Sequence, residues 1–331
     1  MGISRFPHGV FATPNLGGGR LIDMWNSENI FFVDKLNGLA GNTGQSPDAS
    51  VTLPSTAVGL AGRDGVIYIR PATSGSSVQN YYTDNITVPL AKTGISIIGA
   101  GADPSNPYLG VEIKGVSAIT TPVIEVNGAG CVIEGIRFSG SNTNAASYII
   151  SNPYNGTTAR GFGMVVRGCR FQSAPGHLIG SGAAIYMATA IMCKIDNCIF
   201  NDNLCSIAAR ATYAAINGLY ITNSIFEGYP LTNRDVDVFI TGGGNSKGVL
   251  IDNCRFNDGL PNHGVVSRFI SIDAGVLAGM ISNCSFASSN GTTDGLVGAA
   301  GSLVIAPVTV FSVNNMIEDL TEEGTGTMTR T

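Results

Sequence analysis

The chain has 331 residues and a formal net charge of −5, with charged residues at only 12% where about 25% is usual for soluble domains. That balance offers no basic stripe for nucleic acid, no apolar run of about 18 residues for a membrane, and no secretory core between Met1 and Leu21. With 44 glycines, one tryptophan and seven cysteines lacking any Cys-x-x-Cys pair, it reads as a sheet-rich body partly covered by partners, without a disulfide framework, metal site or cofactor.

In chain order, residues 1–28 are rich in Gly, Pro and Asn around the apolar anchors Phe6, Val10 and Phe11, and read as an attachment arm. Residues 29–64 read as a capping segment: a strand from Asn29 to Asp34, a turn-rich stretch from Gly41 to Asp48, and a short helix from Thr52 to Ala61. Gly65 to Pro71 is the first full strand of a coil that spans 65–320, and 321–331 is a polar tail.

Within the coil one six-residue signature recurs. Val166-Arg167-Gly168-Cys169-Arg170-Phe171 is matched by Ile195-Asp196-Asn197-Cys198-Ile199-Phe200 and by Ile251-Asp252-Asn253-Cys254-Arg255-Phe256. The third position is Gly135, Gly168, Asn197, Asn223, Asn253 and Asn283 in turn, at separations of 33, 29, 26, 30 and 30 residues. Gly, and to a lesser degree Asn, adopts a left-handed backbone at low cost, so each copy predicts a sharp corner between two strands. A corner every 30 residues or so makes a coil whose turns stack about 4.8 Å apart, with the Asn amides as a structural ladder. Alternation about the corner turns the first, fourth and sixth positions inward, stacking Phe138 to Phe286 beside Cys169, Cys198, Cys254 and Cys284. Weaker copies at Ile97-Ile98-Gly99-Ala100 and Val313-Asn314-Asn315-Met316, with Asn315 as the corner, extend the count to about eight turns. The expected fold is all-β: a single-stranded right-handed parallel β-helix of about eight rungs with a short N-terminal capping helix.

Two groups of residues carry candidate chemistry. The outward second position holds Glu134, Arg167, Asp196, Thr222, Asp252 and Ser282. Asp196 and Asp252 lie two turns apart, roughly 10 Å by strand spacing, near the carboxyl separation of inverting glycosidases. The plainer reading is an exposed ladder, with Arg167 between Glu134 and Asp196 and Thr222 between the two aspartates. The turns that follow each Phe vary in length, and a solenoid usually binds along such an edge. There Asp202, Glu227 and Asp258 are acid candidates, and Tyr229, Arg234, Asp235, Arg255, Asn262 and His263 are ligand-binding candidates. Asp235 and Asp237 share a strand face and read as solvated, and Arg137, Arg170 and Arg255 recur at one outward position as solubilising charges.

The opening Phe31-Phe32-Val33-Asp34, Asn37-Gly38, Gly44 to Asp48, Thr52, Ala57, Ala61 and Val66-Ile67-Tyr68-Ile69 resembles that of pectin-lyase-like β-helix proteins. It is most similar to versions carried by tailed bacteriophages, and Ser4-Arg5-Phe6-Pro7 resembles the leading segment of phage virion proteins. One departure is Ala72 after Pro71, where the family often has Pro-Gly. The resemblance implies a structural virion protein, as a capsid decoration or a head/tail fibre-spike subunit. It further implies a homotrimer held to capsid or tail proteins by its arm, able to bind host polysaccharide, and released by lysis. The alternative it implies is a tailspike polysaccharide depolymerase, a glycoside hydrolase or lyase. The Asp-Asp pair and Gly-His-Gly signature of pectin hydrolases are missing, the nearest fragments being Gly176-His177-Leu178 and Asn262-His263-Gly264.

Overall fold

The computed structural model describes residues 29–319 apart from 73–80, 102–109, 116–120, 140–147, 154–159, 173–182, 202, 204, 211–215, 229–235, 243–245, 259–267, 273–275, 289–303 and 306–309. The arm and the tail lie outside the described residues. Each turn contributes one strand to each of three parallel sheets. In one turn, Ile191–Asp196 belongs to the first sheet, Ile199–Asn201 to the second and Cys205–Arg210 to the third. Asn217–Thr222 then returns to the first sheet one level on, pairing Ile195 with Ile221, and Phe200 and Ile207 stack in register on Phe226 and Val238. The result is a parallel β-helix, wound in the right-handed sense that parallel crossovers take.

Among the described residues the three sheets hold ten, nine and eight strands, so the expected count of about eight turns is corrected. The sequence count followed corner signatures, and the first sheet gains strands that lack one. Ile30–Val33 pairs in parallel with Val66–Ile69, which pairs with Ser96–Gly99.

The inward positions build the core. Phe138, Phe171, Phe200, Phe226, Phe256 and Phe286 form one column, with successive ring centroids 4.6–5.3 Å apart and interplanar angles of 3–14°. That separation is the strand pitch, so backbone pairing and ring stacking reinforce each other; removing one such ring would cost about 3–5 kcal/mol. All seven cysteines are buried, and the fourth-position thiols fill the inside of the corner. Cys198 Sγ, for example, lies 3.4 Å from the Asp196 carbonyl oxygen.

The corner is as expected. Gly135 and Gly168 have φ of 68° and 57°, and Asn197, Asn223, Asn253 and Asn283 have φ of 51–54°. The corner N–H stays inside the inter-turn ladder, as Asn197 N–H donates to the Thr222 carbonyl at 3.0 Å. Three readings are corrected. The last corner is Asn314 (φ 54°), not Asn315. Asn315 takes the thiol's place instead, accepting from Cys284 N–H at 2.8 Å and donating to the Ile281 carbonyl at 2.9 Å. Gly99 has no left-handed backbone; a Cβ there would come within 2.3 Å of the Gly135 carbonyl oxygen, so close approach selects the glycine. The amide ladder is also mixed. Asn253 donates to Asn223 and Asn314 to Asn283, whereas Asn223 and Asn283 donate to Asp196 and Asp252.

A second series of left-handed residues was not foreseen. Near the start of the first-sheet strands, Asp64, Gly94, Gly130, Gly163, Met192, Gly218 and Gly248 have φ of 53–86°. The N-terminal end is closed by the helix Pro54–Leu60, whose Ala57 and Val58 are buried. Its N-cap residue Leu53 supplies no side-chain cap. Asp84, distant in sequence, accepts from Ser55 N–H at 2.7 Å, and at the other end Lys92 Nζ donates to the Val58 and Gly59 carbonyls. A covered first edge cannot recruit foreign strands.

Candidate functional site

The second signature position forms one column on the outer face of the first sheet, with Arg167 in register with Glu134 and Asp196, and Thr222 with Asp196 and Asp252. Arg167 Nη2 donates to Glu134 Oε2 at 2.7 Å. Asp196 is held from three sides: Thr222 Oγ1 donates at 2.6 Å, Asn223 Nδ2 at 2.8 Å, and Lys194 Nζ lies 3.2 Å away. Asp252 repeats the arrangement two levels later, receiving Ser282 Oγ at 2.6 Å and Asn283 Nδ2 at 2.8 Å.

These bonds set the protonation of both carboxyls. Burial would raise Asp196, but the bonds from Thr222, Asn223 and Lys194 outweigh it and hold the group below the ordinary aspartate value. The Ser282 and Asn283 bonds hold Asp252 low as well. Both are therefore anions at neutral pH and act as acceptors bracing one turn to the next. Acid catalysis asks for the opposite, a carboxyl whose pKa is raised. Asp84 is raised by burial, and it caps the helix.

On the loop edge, Glu227 stands in register with Asn201 and Asn257, and Asn201 Nδ2 donates to Glu227 Oε2 at 2.9 Å. Arg255 is exposed, in register with Ile225 and Ser285, and the Asp258 backbone aligns with Gly228 and Ser288. Asp202, Tyr229, Arg234, Asp235, Asn262 and His263 lie outside the described residues.

Two readings of charged residues change. Asp237 is buried rather than solvated, with Ser206 Oγ 3.3 Å from its Oδ1. Arg137 is more than a solubilising charge. Its Nη2 donates to Gln172 at 2.7 Å and its Nε lies 3.8 Å from the buried Glu112, which also has Lys114 Nζ at 3.5 Å and accepts from Ser139 at 2.5 Å. Alternation in Val111-Glu112-Ile113-Lys114 puts both charged residues on one face, a signal that finds this cluster once the register with Arg137 is known. The third sheet holds an aromatic ledge that sequence reading missed: Tyr148 and Tyr186 stack at 4.3 Å, and Arg210 lies 5.1 Å from the Phe239 ring.

No family model and no curated protein sequence matches this chain. Solved structures do. The YbhC protein of Escherichia coli aligns over 86% of this chain and 84% of its own, with a TM-score of 0.52 and 12% identity. This chain therefore shares the backbone course of that protein, which is a likeness of fold. Pectin methylesterase from Aspergillus niger, in deglycosylated form, aligns with this β-helix over 88% of the chain and 86% of its own, at a TM-score of 0.48 and 11% identity. A rhamnogalacturonan lyase covers 88% and 87% at a TM-score of 0.33 and 13% identity. At such identities the likeness is one of backbone course, and the Escherichia coli superposition carries it.

Proposed function

We propose that this β-helix is a structural subunit of a bacteriophage virion, a capsid decoration or head/tail fibre-spike component. In this reading it is homotrimeric, attached to capsid or tail proteins through residues 1–28, and offers its loop edge to host-surface polysaccharide. The observation that carries the non-enzymatic part is the engagement of the outer carboxylates: Asp196 and Asp252 accept two or more bonds each and are held ionised. Groups so engaged stiffen a rod and leave no proton to donate. The phage setting is supported by the resemblance of residues 29–71 and by the low charge of the chain.

Two experiments test it. Mass spectrometry of purified particles of the encoding phage should find the chain at a fixed copy number, and its absence from particles removes the virion assignment. Purified protein incubated with host capsule or lipopolysaccharide should release no reducing ends. Release that Asp196→Asn or Asp202→Asn abolishes would establish the depolymerase reading instead.

A further inference from the structure

Arg137 and Arg170 stand in register on the outer face of the second sheet, one strand spacing apart. Five strands make this part of the sheet: Tyr82–Thr83, Val111–Lys114, Ile136–Ser139, Arg170–Gln172 and Ile199–Asn201. Glu112 is the one carboxylate on them, against Lys114, Arg137 and Arg170. Like charges facing each other are destabilising. Burial lowers the Arg137 guanidinium, and Arg170 adds to that against the support of Glu112. Arg137 also keeps a donor in hand: Nη2 bonds Gln172 at 2.7 Å, while the buried Nε is 3.8 Å from Glu112, beyond hydrogen-bond reach. One level above Gln172, Asn201 is 8% exposed. Its Nδ2 donates to Glu227 Oε2 at 2.9 Å, and its Oδ1 meets no donor among the described residues. Buried donors and acceptors are seldom left so.

We propose that this patch binds an acidic sugar, its carboxylate on Arg137 and Arg170 and a ring hydroxyl donating to Asn201 Oδ1; the idea rests on the glycan-binding reading above and names the glycan class. Arg170 and Gln172 are partly exposed and open the patch to solvent. What it offers is guanidinium N–H at one end and an amide oxygen at the other, so its ligand must bring an anion and a hydroxyl together. The two ends lie one to two strand spacings apart, roughly 5–10 Å, the span of one pyranose ring with its substituents. A bare anion such as phosphate serves the guanidiniums alone, and a neutral sugar serves only the amide. Glu227, two levels beyond Gln172, repels a carboxylate and so fixes which end of the sugar lies at the arginines.

Isothermal titration calorimetry on the full-length chain tests it. An oligoglucuronate should bind at least tenfold more tightly than its carboxyl-reduced, neutral counterpart and than inorganic phosphate. Arg170→Gln should weaken the acidic oligosaccharide at least tenfold and Asn201→Leu at least threefold, each with the wild-type circular dichroism spectrum. Lys247→Gln, which removes an exposed charge from the first sheet, should leave binding unchanged. Equal affinity for the acidic and neutral forms or for phosphate, or an Asn201→Leu or Arg170→Gln variant that binds as wild type, overturns the two-point site. Purified host capsule that still binds in that case leaves the loop-edge reading standing. Binding of neither oligosaccharide nor capsule overturns both.

Discussion

Five turns among the described residues bend through a left-handed residue twice, and the two bends are made differently. At the signature corner the residue is Gly in the early turns and Asn in the later ones, and the Asn amide reaches across to a neighbouring turn, as Asn223 does to Asp196. At the start of the first-sheet strands the residue is mostly bare glycine, with Asp64 and Met192 as exceptions. A Cβ on Gly163 would meet nothing nearer than 3.8 Å, so there is room for a side chain and the backbone angle alone selects glycine. The same dihedral is thus demanded at both bends. At the corner, the side chains of Asn223, Asn253 and Asn283 add bonds between turns.

Substitutions can separate the two demands. Asn223→Val should cost the most, about 3 kcal/mol, because it combines a β-branched residue at positive φ with the loss of the bonds to Asp196 and Asn253; the urea midpoint followed by far-ultraviolet circular dichroism reads it. Gly163→Ala should cost about 1–2 kcal/mol from the backbone alone. A cost for Gly163→Ala equal to that of Asn223→Val would mean that the amide bonds add nothing. Met192→Gly should stabilise by about 0.5–1 kcal/mol, since an exposed methionine at φ 53° is strained and makes no core contact; a lower melting temperature would contradict this. The smallest effect is expected in acid. Asp34, Asp196 and Asp252 have folded pKa values below the ordinary 3.8. Their contribution is therefore present above that value and lost as pH falls through the depressed one. The urea midpoint should drop below about pH 4, and Asp196→Asn should shrink that drop.

The fold was legible wherever one physical demand recurs with one residue type. A positive φ beside a strand leaves Gly or Asn, and a bore of fixed width leaves Phe, so Asn253 and Phe256 announce themselves. The second bend was hidden because its glycines are lost among 44, and Met192 gives no sign at all. Adjacent Asn314 and Asn315 are identical as letters; the corner went to the first because the amide of the second replaces the thiol against Cys284 and Ile281. At the candidate site, the column of Asp196 and Asp252 could be read from alternation, but their partners could not. Arg167 sides with Glu134 because Thr222, Asn223 and Lys194 already occupy Asp196. Burial of Asp237 depends on what packs against the third sheet, which period-two alternation does not report.

The hydrogen bonds between turns have a mechanical consequence. Covalent chain runs around the coil, while the bonds from Ile191–Asp196 to Asn217–Thr222 and from Cys205–Arg210 to Val236–Thr241 run along its length. Tension on the long axis is therefore shared among many such bonds in parallel, and no single peptide linkage carries it. A protease nick between two strands of one turn leaves both pieces clamped from above and below. Connecting segments can accordingly be cut or exchanged one at a time without parting the shaft.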